Sequence, residues 1–244
     1  MATKTDPTGQ AECLAEHTPN CRPASKWAAI LNDRLLPMPR RIVLAKDIKH
    51  EAGIGADFAL VRDFNSPHDM AFADDAEVNL AEGNVFRVIP ACEVARTEPC
   101  REPAKLAFVV EDVWEITINP NHTGETLRHL FALPPEVKLF RDNNSPDDEL
   151  IGDSDKIRFG DGPVFRTEGL VITVKVNKKD VKFTKRRVTG AEIKQTATHQ
   201  GATIPPNGVL YKVTPDGLKP ITDQEIVCLK ECDEFRCITP DDNS

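Results

Sequence analysis

The chain has 244 residues, of which 40% are hydrophobic and 29% charged, and its net charge is −8 at pH 7. This acidic balance argues against nucleic acid as a partner, because phosphate binding requires a concentrated basic surface. No apolar run approaches the roughly 18 residues that span a bilayer, and the N-terminus has no apolar signal segment. Together with an odd number of cysteines, seven, this composition predicts a soluble cytoplasmic protein with reduced thiols that binds neither nucleic acid nor membrane.

The first 24 residues have few large apolar side chains and no hydrophobic periodicity. They cannot bury enough surface to offset chain entropy, so we predict a disordered tail over 1–24. Cys13, His17 and Cys21 are spaced by four residues, as metal ligands on one helix face would be. Structural zinc sites take four ligands, so these three residues do not favour a metal site.

Beyond the tail, one pattern of apolar and turn residues occurs three times. The three copies are Phe72, Asp74, Val78, Leu80, Phe86 and Arg87; Ile151, Asp153, Ile157, Phe159, Phe165 and Arg166; and Ile221, Asp223, Val227, Leu229, Phe235 and Arg236. Each copy keeps its internal spacing without a gap. The first two copies also agree upstream, where 60–69 aligns with 139–148. A repeat of this period predicts tandem structural units.

The repeat predicts which side chains form the cores. Side chains alternate across a strand, so in each penultimate strand two residues point inward and the residue between them points outward. By this count Phe86, Phe165 and Phe235 are core residues, and the arginine after each lies outside. The inward pairs are Val78 with Leu80, Ile157 with Phe159, and Val227 with Leu229, and the outward residues are Asn79, Arg158 and Cys228.

The repeat and its connections give the domain organisation. We predict a first domain over 25–90, a second over 104–167 and a third over 168–244. The segment 91–103, which is polar and holds Pro99, is the predicted linker between the first two. Only Glu168 and Gly169 separate the second and third, so we expect those two domains to touch, with Gly169 allowing a change of direction.

The third copy has the clearest local signals. Asn177-Lys178 splits two β-rich runs, as in a tight hairpin. Thr189 and Glu192 form a capping box at a helix start. The second copy keeps the cap at Thr123 without a glutamate at the third helical position, and the first copy has no Ser or Thr cap. We therefore expect the first helix to be the least regular.

The third copy resembles the ubiquitin-like β-grasp fold, and more narrowly the multiubiquitin family. The residues that carry this resemblance are 186–193, 209–213, 216–221, 225–229 and Phe235. The resemblance implies an α+β protein with three tandem ubiquitin-like β-grasp domains behind a disordered N-terminal tail. It also implies a bacterial, poly-ubiquitin-like protein modifier, which an E1-like activating enzyme, an E2-like carrier and a peptidase act on in a protein-conjugation pathway.

In ubiquitin-like proteins the chemistry takes place at a flexible C-terminal tail. Here the chain continues after its last predicted strand with Thr239-Pro240 and then Asp241, Asp242, Asn243 and Ser244. These last four residues are the predicted conjugation tail, used as they stand or after trimming near Asn243. The Gly-Gly ending of ubiquitin is absent from this sequence.

Other candidate chemistry is weak, and we expect no enzyme, catalytic residue, cofactor or metal. The copies share none of the six histidines, and no glycine-rich phosphate loop occurs, since Gly160-Asp161-Gly162-Pro163 reads as a turn. Cys228, Cys232 and Cys237 point different ways, and Cys92 and Cys100 are expected as reduced thiols. Two charged groups are read as solvated surface: the basic residues Lys178, Lys179, Lys182, Lys185, Arg186 and Arg187, and the acidic residues Asp142, Asp147, Asp148, Asp153 and Asp155.

Two alternatives to whole-chain conjugation stay open. The chain could be a scaffold that is never conjugated and that binds or self-associates through its repeated domains. Alternatively, only the third domain is the modifier, and the two more divergent copies bind the carrier enzymes.

Overall fold

A computed structural model describes residues 24–65, 69–94, 102–144 and 148–239. Within these ranges the chain forms three units, here called units 1, 2 and 3, each with a five-stranded mixed sheet, a two-stranded ladder and one helix. This confirms the predicted α+β class and the three tandem β-grasp-like units. None of the described helices has the length and apolar character needed to cross a membrane.

Unit 1 contains seven short strands and one helix. Its elements are β1 Trp27–Leu31, β2 Arg34–Met38, β3 Ile42–Leu44, α1 Ala45–Glu51, β4 Phe58–Arg62, β5 Met70–Phe72, β6 Glu77–Asn79 and β7 Val85–Pro90, with one-turn 3-10 helices at Leu80–Glu82 and Ala91–Glu93.

Unit 2 repeats this order. Its elements are β8 Leu106–Val110, β9 Val113–Thr117, β10 Asn121–Thr123, α2 Gly124–Leu130, β11 Lys138–Arg141, β12 Glu149–Ile151, β13 Lys156–Arg158 and β14 Val164–Glu168, with a 3-10 turn at Phe159–Asp161.

Unit 3 has the same order with a longer helix. Its elements are β15 Ile172–Val176, β16 Lys179–Phe183, β17 Arg187–Thr189, α3 Gly190–His199, β18 Val209–Thr214, β19 Gly217–Ile221, β20 Ile226–Cys228 and β21 Glu234–Ile238.

The register of the central strands shows that the units are equivalent. In each sheet the first strand runs parallel to the last, and the last residue of the first strand pairs with the repeated phenylalanine. These pairs are Leu31 with Phe86, Val110 with Phe165, and Val176 with Phe235. The three phenylalanines are at most 2% exposed, as the alternation predicted. The predicted inward pairs are buried too, and Arg158 and Cys228 are exposed.

The three helix starts differ in how they are capped. Thr189 and Glu192 form the predicted capping box, with Thr189 N donating to the Glu192 carboxylate at 2.7 Å. In unit 2 the Thr126 hydroxyl takes the place of that carboxylate and accepts a hydrogen bond from Thr123 N at 2.8 Å. As the missing Ser or Thr predicted, α1 begins without a side-chain cap hydrogen bond at Leu44, and it is as short as α2, since both span 7 residues. Asp47, which accepts from Leu44 N at 3.3 Å, supplies half of the missing box in α1.

Units 1 and 2 are joined by contacts that are mirrored across the interface. Lys26 of unit 1 forms an ion pair with Asp142 of unit 2 at 2.8 Å, and Lys105 of unit 2 forms one with Asp63 of unit 1 at 2.8 Å. The members of each pair lie 79 positions from their counterparts in the other pair. The backbone follows the same rule, because Lys26 N donates to Asp142 O and Lys105 N to Asp63 O. Such reciprocal contacts define an isologous, pseudo-twofold interface.

Apolar and amide side chains fill this interface. Ile30, Val85 and Ala107 form a buried cluster between the two sheets, with Leu35 and Trp114 packed against it. The fully buried Asn84 of unit 1 donates to Ala107 O at 2.9 Å and accepts from Ala107 N at 2.7 Å. The predicted linker therefore connects two units that pack tightly against each other.

Two glycines let the units approach. A Cβ on Gly83, whose φ is +138°, would lie 2.6 Å from the Cβ of Ala104. The mirrored Gly162, whose φ is +110°, faces Ser25 in the same way, and a Cβ there would overlap that side chain. The predicted turn at 160–163 is thus also part of the contact between units.

Unit 3 contacts unit 2 through different residues. Arg186 donates to Ala132 O at 2.9 Å, and the Arg187 guanidinium lies 5.0 Å from the Trp114 ring centroid. Val137 of unit 2 is buried among the core residues of unit 3. The expected contact between these units is present. The basic cluster is consequently not purely solvated, since two of its members bind unit 2.

Candidate functional site: the C-terminal end of unit 3

The last strand of unit 3 fixes the point from which the C-terminal residues leave the fold. β21 lies in the middle of its sheet, between β15 and β18. The amide side chain of Asn177 accepts from Cys237 N at 2.8 Å and donates to Cys237 O at 3.2 Å. Asn177 and Lys178 have φ values of +48° and +68°, which confirms the tight turn predicted for this hairpin. The hairpin turn therefore anchors the end of β21.

The predicted conjugation tail itself, Asp241, Asp242, Asn243 and Ser244, lies outside the described residues, as do Cys13, His17, Cys21, Cys100 and Asp147. The last described residue is Thr239, which is exposed.

An apolar surface lies on the solvent side of the same sheet. Core-facing residues of β18 and β21, such as Leu210 and Cys237, are buried, and the residues between them point outward. Leu218 and Ile238 are each 43% exposed on this side. We call this surface the outer face of unit 3; its residues are Val209, Tyr211, Val213, Leu218, Pro220, Arg236 and Ile238.

The equivalent faces of units 1 and 2 carry a fixed ion pair. Arg87 contacts Asp69 at 2.9 Å, and Arg166 contacts Asp148. The backbone N–H of Asn143, followed by the Arg166 guanidinium, lowers the pKa of the Asp148 carboxyl. In unit 3 the aspartate is replaced by Leu218, and among the described residues Arg236 pairs with Glu234, at 3.6 Å. Extending the gapless repeat three residues upstream of Ile221 would have revealed this difference in the sequence.

Among the acidic residues of unit 2 that were expected to be solvated, Asp153 and Asp155 are exposed, whereas Asp142 and Asp148 are half-buried and paired. Asp142 forms the ion pair with Lys26 across the interface of units 1 and 2, and Asp153 forms one with Arg128 of α2 at 2.9 Å. The latter pair recurs in every unit, because Lys49 contacts Asp74 at 2.5 Å and Lys194 contacts Asp223 at 2.6 Å. These carboxylates have structural partners.

The cysteines of unit 3 lie where the strand alternation places them. Cys228 and Cys232 are exposed, Cys232 with a φ of +65°, and Cys237 is buried. Burial raises the pKa of the Cys237 thiol, which keeps it protonated and unreactive. Within the described ranges, no three His, Cys, Asp or Glu residues are grouped in a way that could hold a metal ion.

The strand order, the parallel central pair and the single helix define units of the ubiquitin-like β-grasp class. Comparison with protein-family models gives a match to the family described as multiubiquitin over residues 172–240, which covers unit 3 from β15 to just past β21. The resemblance inferred from the sequence is therefore confirmed. No curated protein matches the chain.

Proposed function

We propose that the chain is a ubiquitin-like protein modifier, attached to targets through its C-terminal residues by an E1-like activating enzyme and an E2-like carrier. A peptidase of the same bacterial pathway trims or releases it. One observation carries this proposal: the multiubiquitin match ends at residue 240, where the anchored β21 gives way to Asp241, Asp242, Asn243 and Ser244. In this view the chain is a cytoplasmic substrate of these enzymes and has no catalytic residue or cofactor of its own.

The geometry of unit 3 supports this role. Activation requires that the C-terminus enter an enzyme active site in a defined orientation while the fold stays outside. The two hydrogen bonds between Asn177 and Cys237 hold the end of β21 in place. The outer face beside it presents Leu218 and Ile238, each 43% exposed, and a contiguous exposed apolar patch is a feature of protein contact sites. Unit 3 thus combines a fixed exit point with a surface that an enzyme can bind.

Co-expression with the enzymes encoded by neighbouring genes tests the proposal. Mass spectrometry of the products should show the chain bonded through a residue at its C-terminal end. Deletion of 239–244 should abolish every adduct. A matched control, deletion of 1–6 at the other end, should leave adduct formation unchanged. A C-terminus that is never consumed under any of these conditions would contradict the proposal.

The second candidate is a scaffold that is never conjugated. The mirrored contacts between units 1 and 2 favour it, because they show that these β-grasp units bind each other in a defined geometry. A scaffold should keep its binding partners after deletion of 239–244, whereas a modifier should lose its covalent products. Affinity capture of both forms, compared side by side, separates the two functions.

A further inference from the structure

We propose that the three units act as one inseparable modifier and are not a precursor from which single units are released. This inference rests on the proposed function, which it makes more specific by naming the form that is attached. Two features carry it: the short junction between units 2 and 3, at which Leu170 is buried, and the mirrored interface between units 1 and 2.

The junction between units 2 and 3 is short: three residues, 169–171, separate β14 from β15, and although Gly169 and Val171 are exposed, Leu170 between them is buried. Strand β14 is hydrogen-bonded to β11 as far as Glu168, and Leu170 is only 5% exposed. Gly169, at a φ of +86°, is the turn between them. Proteolytic sites concentrate at exposed loop tips whose backbone is free of hydrogen bonds. Cleavage here would first require the flanking strands to unfold.

The surroundings of Leu170 strengthen this junction. Its side chain lies beside Phe131 and Leu133 of unit 2, at a small cavity that Arg186 of unit 3 also lines. The Arg186 guanidinium donates to Ala132 O, and Val137 is buried in the core of unit 3. Separating the two units would therefore expose core side chains of both.

Between units 1 and 2, covalent continuity is not what holds the units together. The interface has two equivalent ion pairs, two mirrored backbone contacts and the apolar cluster around Ile30 and Ala107. The residues that make these contacts all lie outside 95–101. A cut within that segment therefore removes none of them. Unit 1 should remain bound after such a cut.

Unit 3 shows that this pairing is specific to units 1 and 2. Aligned on the first strand of each unit, Ile30 corresponds to Lys175, and Ala28 and Ala107 correspond to Thr173. Lys175 is exposed on its strand, whereas Ile30 is 1% exposed. This position of the first strand can therefore hold a lysine in a β-grasp unit when it faces solvent. In unit 1 it holds Ile30, which unit 2 covers.

A cleavable form of the full chain tests the inference. Residues 95–101 are replaced by the recognition sequence of a specific protease, the chain is cut to completion, and the products pass through size-exclusion chromatography. The two pieces should elute together at the position of the uncut chain. Elution as two separate species would overturn the proposal.

Substitutions then identify the face that holds the pieces together. Ile30→Lys, which introduces the residue of unit 3, should make the cut pieces separate. The matched control Lys175→Ile, at the same strand position of unit 3, should leave them together. If the Ile30→Lys pieces remain bound as tightly as the unsubstituted ones, the mirrored interface is not what joins the units, and the proposal fails.

Limited proteolysis of the unmodified chain tests the second junction. A protease of broad specificity should release no fragment that begins between 168 and 171 until the whole chain unfolds. Early appearance of that fragment would overturn the proposal. These outcomes do not depend on conjugation: absence of all adducts contradicts the proposed function alone, while adducts that carry a single unit contradict only the present inference.

Discussion

Replacing Asn84 with alanine removes the most completely buried polar contact between units 1 and 2. The Asn84 side chain is fully buried and donates to Ala28 O at 3.0 Å and to Ala107 O at 2.9 Å, while it accepts from Ala107 N at 2.7 Å. Asn84→Ala leaves the carbonyls of Ala28 and Ala107 and the N–H of Ala107 without this partner. Each buried group left unsatisfied costs about 1–3 kcal/mol. Because these three groups share one side chain, we expect a total loss of about 3 kcal/mol.

The two tryptophans make this loss measurable in the relevant units. Trp27 stacks edge-on against Phe159 of unit 2 with 6.2 Å between ring centroids, and Trp114 packs against the cluster between the units. Tryptophan fluorescence during urea unfolding therefore reports on units 1 and 2, since unit 3 contains no tryptophan. The free energy of unfolding falls by roughly 2–3 kcal/mol per M urea for a chain of this size. Asn84→Ala should therefore lower the urea midpoint of the fluorescence transition by about 1–1.5 M.

Asn207→Ala, at an exposed turn of unit 3, is the matched control and should not shift the fluorescence midpoint. If Asn84→Ala changes the free energy of unfolding by less than about 0.5 kcal/mol, or by no more than the control does, the assignment of Asn84 as a contact between units is refuted.

Three further predictions concern unit 3. Phe235→Ala should cost about 3–5 kcal/mol and unfold unit 3, seen by circular dichroism. Because Val137 of unit 2 is buried in that core and Arg187 lies over Trp114, the tryptophan transition should move to lower urea as well, and a tryptophan transition that stays in place would contradict the joint packing of units 2 and 3. Hydrogen bonds from Lys185 and from Thr189 N lower the pKa of Glu192 to about 2. The stabilisation from this group should be present above about pH 4.5 and be lost as the pH falls towards 2, and Glu192→Gln should lose that acid dependence when unfolding is followed against pH. Burial raises the pKa of Cys237, so iodoacetamide at mildly alkaline pH should label Cys228 and Cys232 before Cys237. Peptide mass spectrometry measures the order of labelling, and the reverse order would show that the strand alternation is wrong.

The features that follow from strand periodicity were predictable from the sequence. Alternation placed Phe86, Phe165 and Phe235 in equivalent cores, because a one-residue shift in any strand would have put its apolar set in water. The hairpin at Asn177 and the capping box at Thr189 are local and depend only on neighbouring residues. Such features need no knowledge of what packs against the unit.

The contacts between units were not predictable in the same way. Lys26, Asp63, Lys105 and Asp142 read as ordinary surface charges, since their partners are distant in sequence and belong to another unit. The available signal in the sequence was that β1 and β8 are apolar at every position, including Ile30 and Ala107 on the outer side of their strands. Both faces of β1 and of β8 are buried, and in a sheet covered on one side only this pattern indicates a second packing surface.

The C-terminal site was predictable only as a stretch of sequence. Asp241, Asp242, Asn243 and Ser244 were identified by their place after the last strand, and they lie outside the described residues. The exposed Leu218 was missed, because the loss of an aspartate matters only once its arginine partner is known. The repeat contains Asp74, Asp153 and Asp223 at one position, but only the structure shows that each pairs with a cation of its helix.

Zero-length carbodiimide cross-linking of the folded monomer tests the pairing of units 1 and 2 most directly, because it joins only amines and carboxylates that are in contact. Peptide mass spectrometry should find both mirrored links, Lys26 to Asp142 and Lys105 to Asp63, within one chain. The pair Lys212 and Asp233, 2.8 Å apart inside unit 3, is the internal control for coupling efficiency. Recovery of the control link without either mirrored link, or with only one of them, would contradict the pseudo-twofold arrangement.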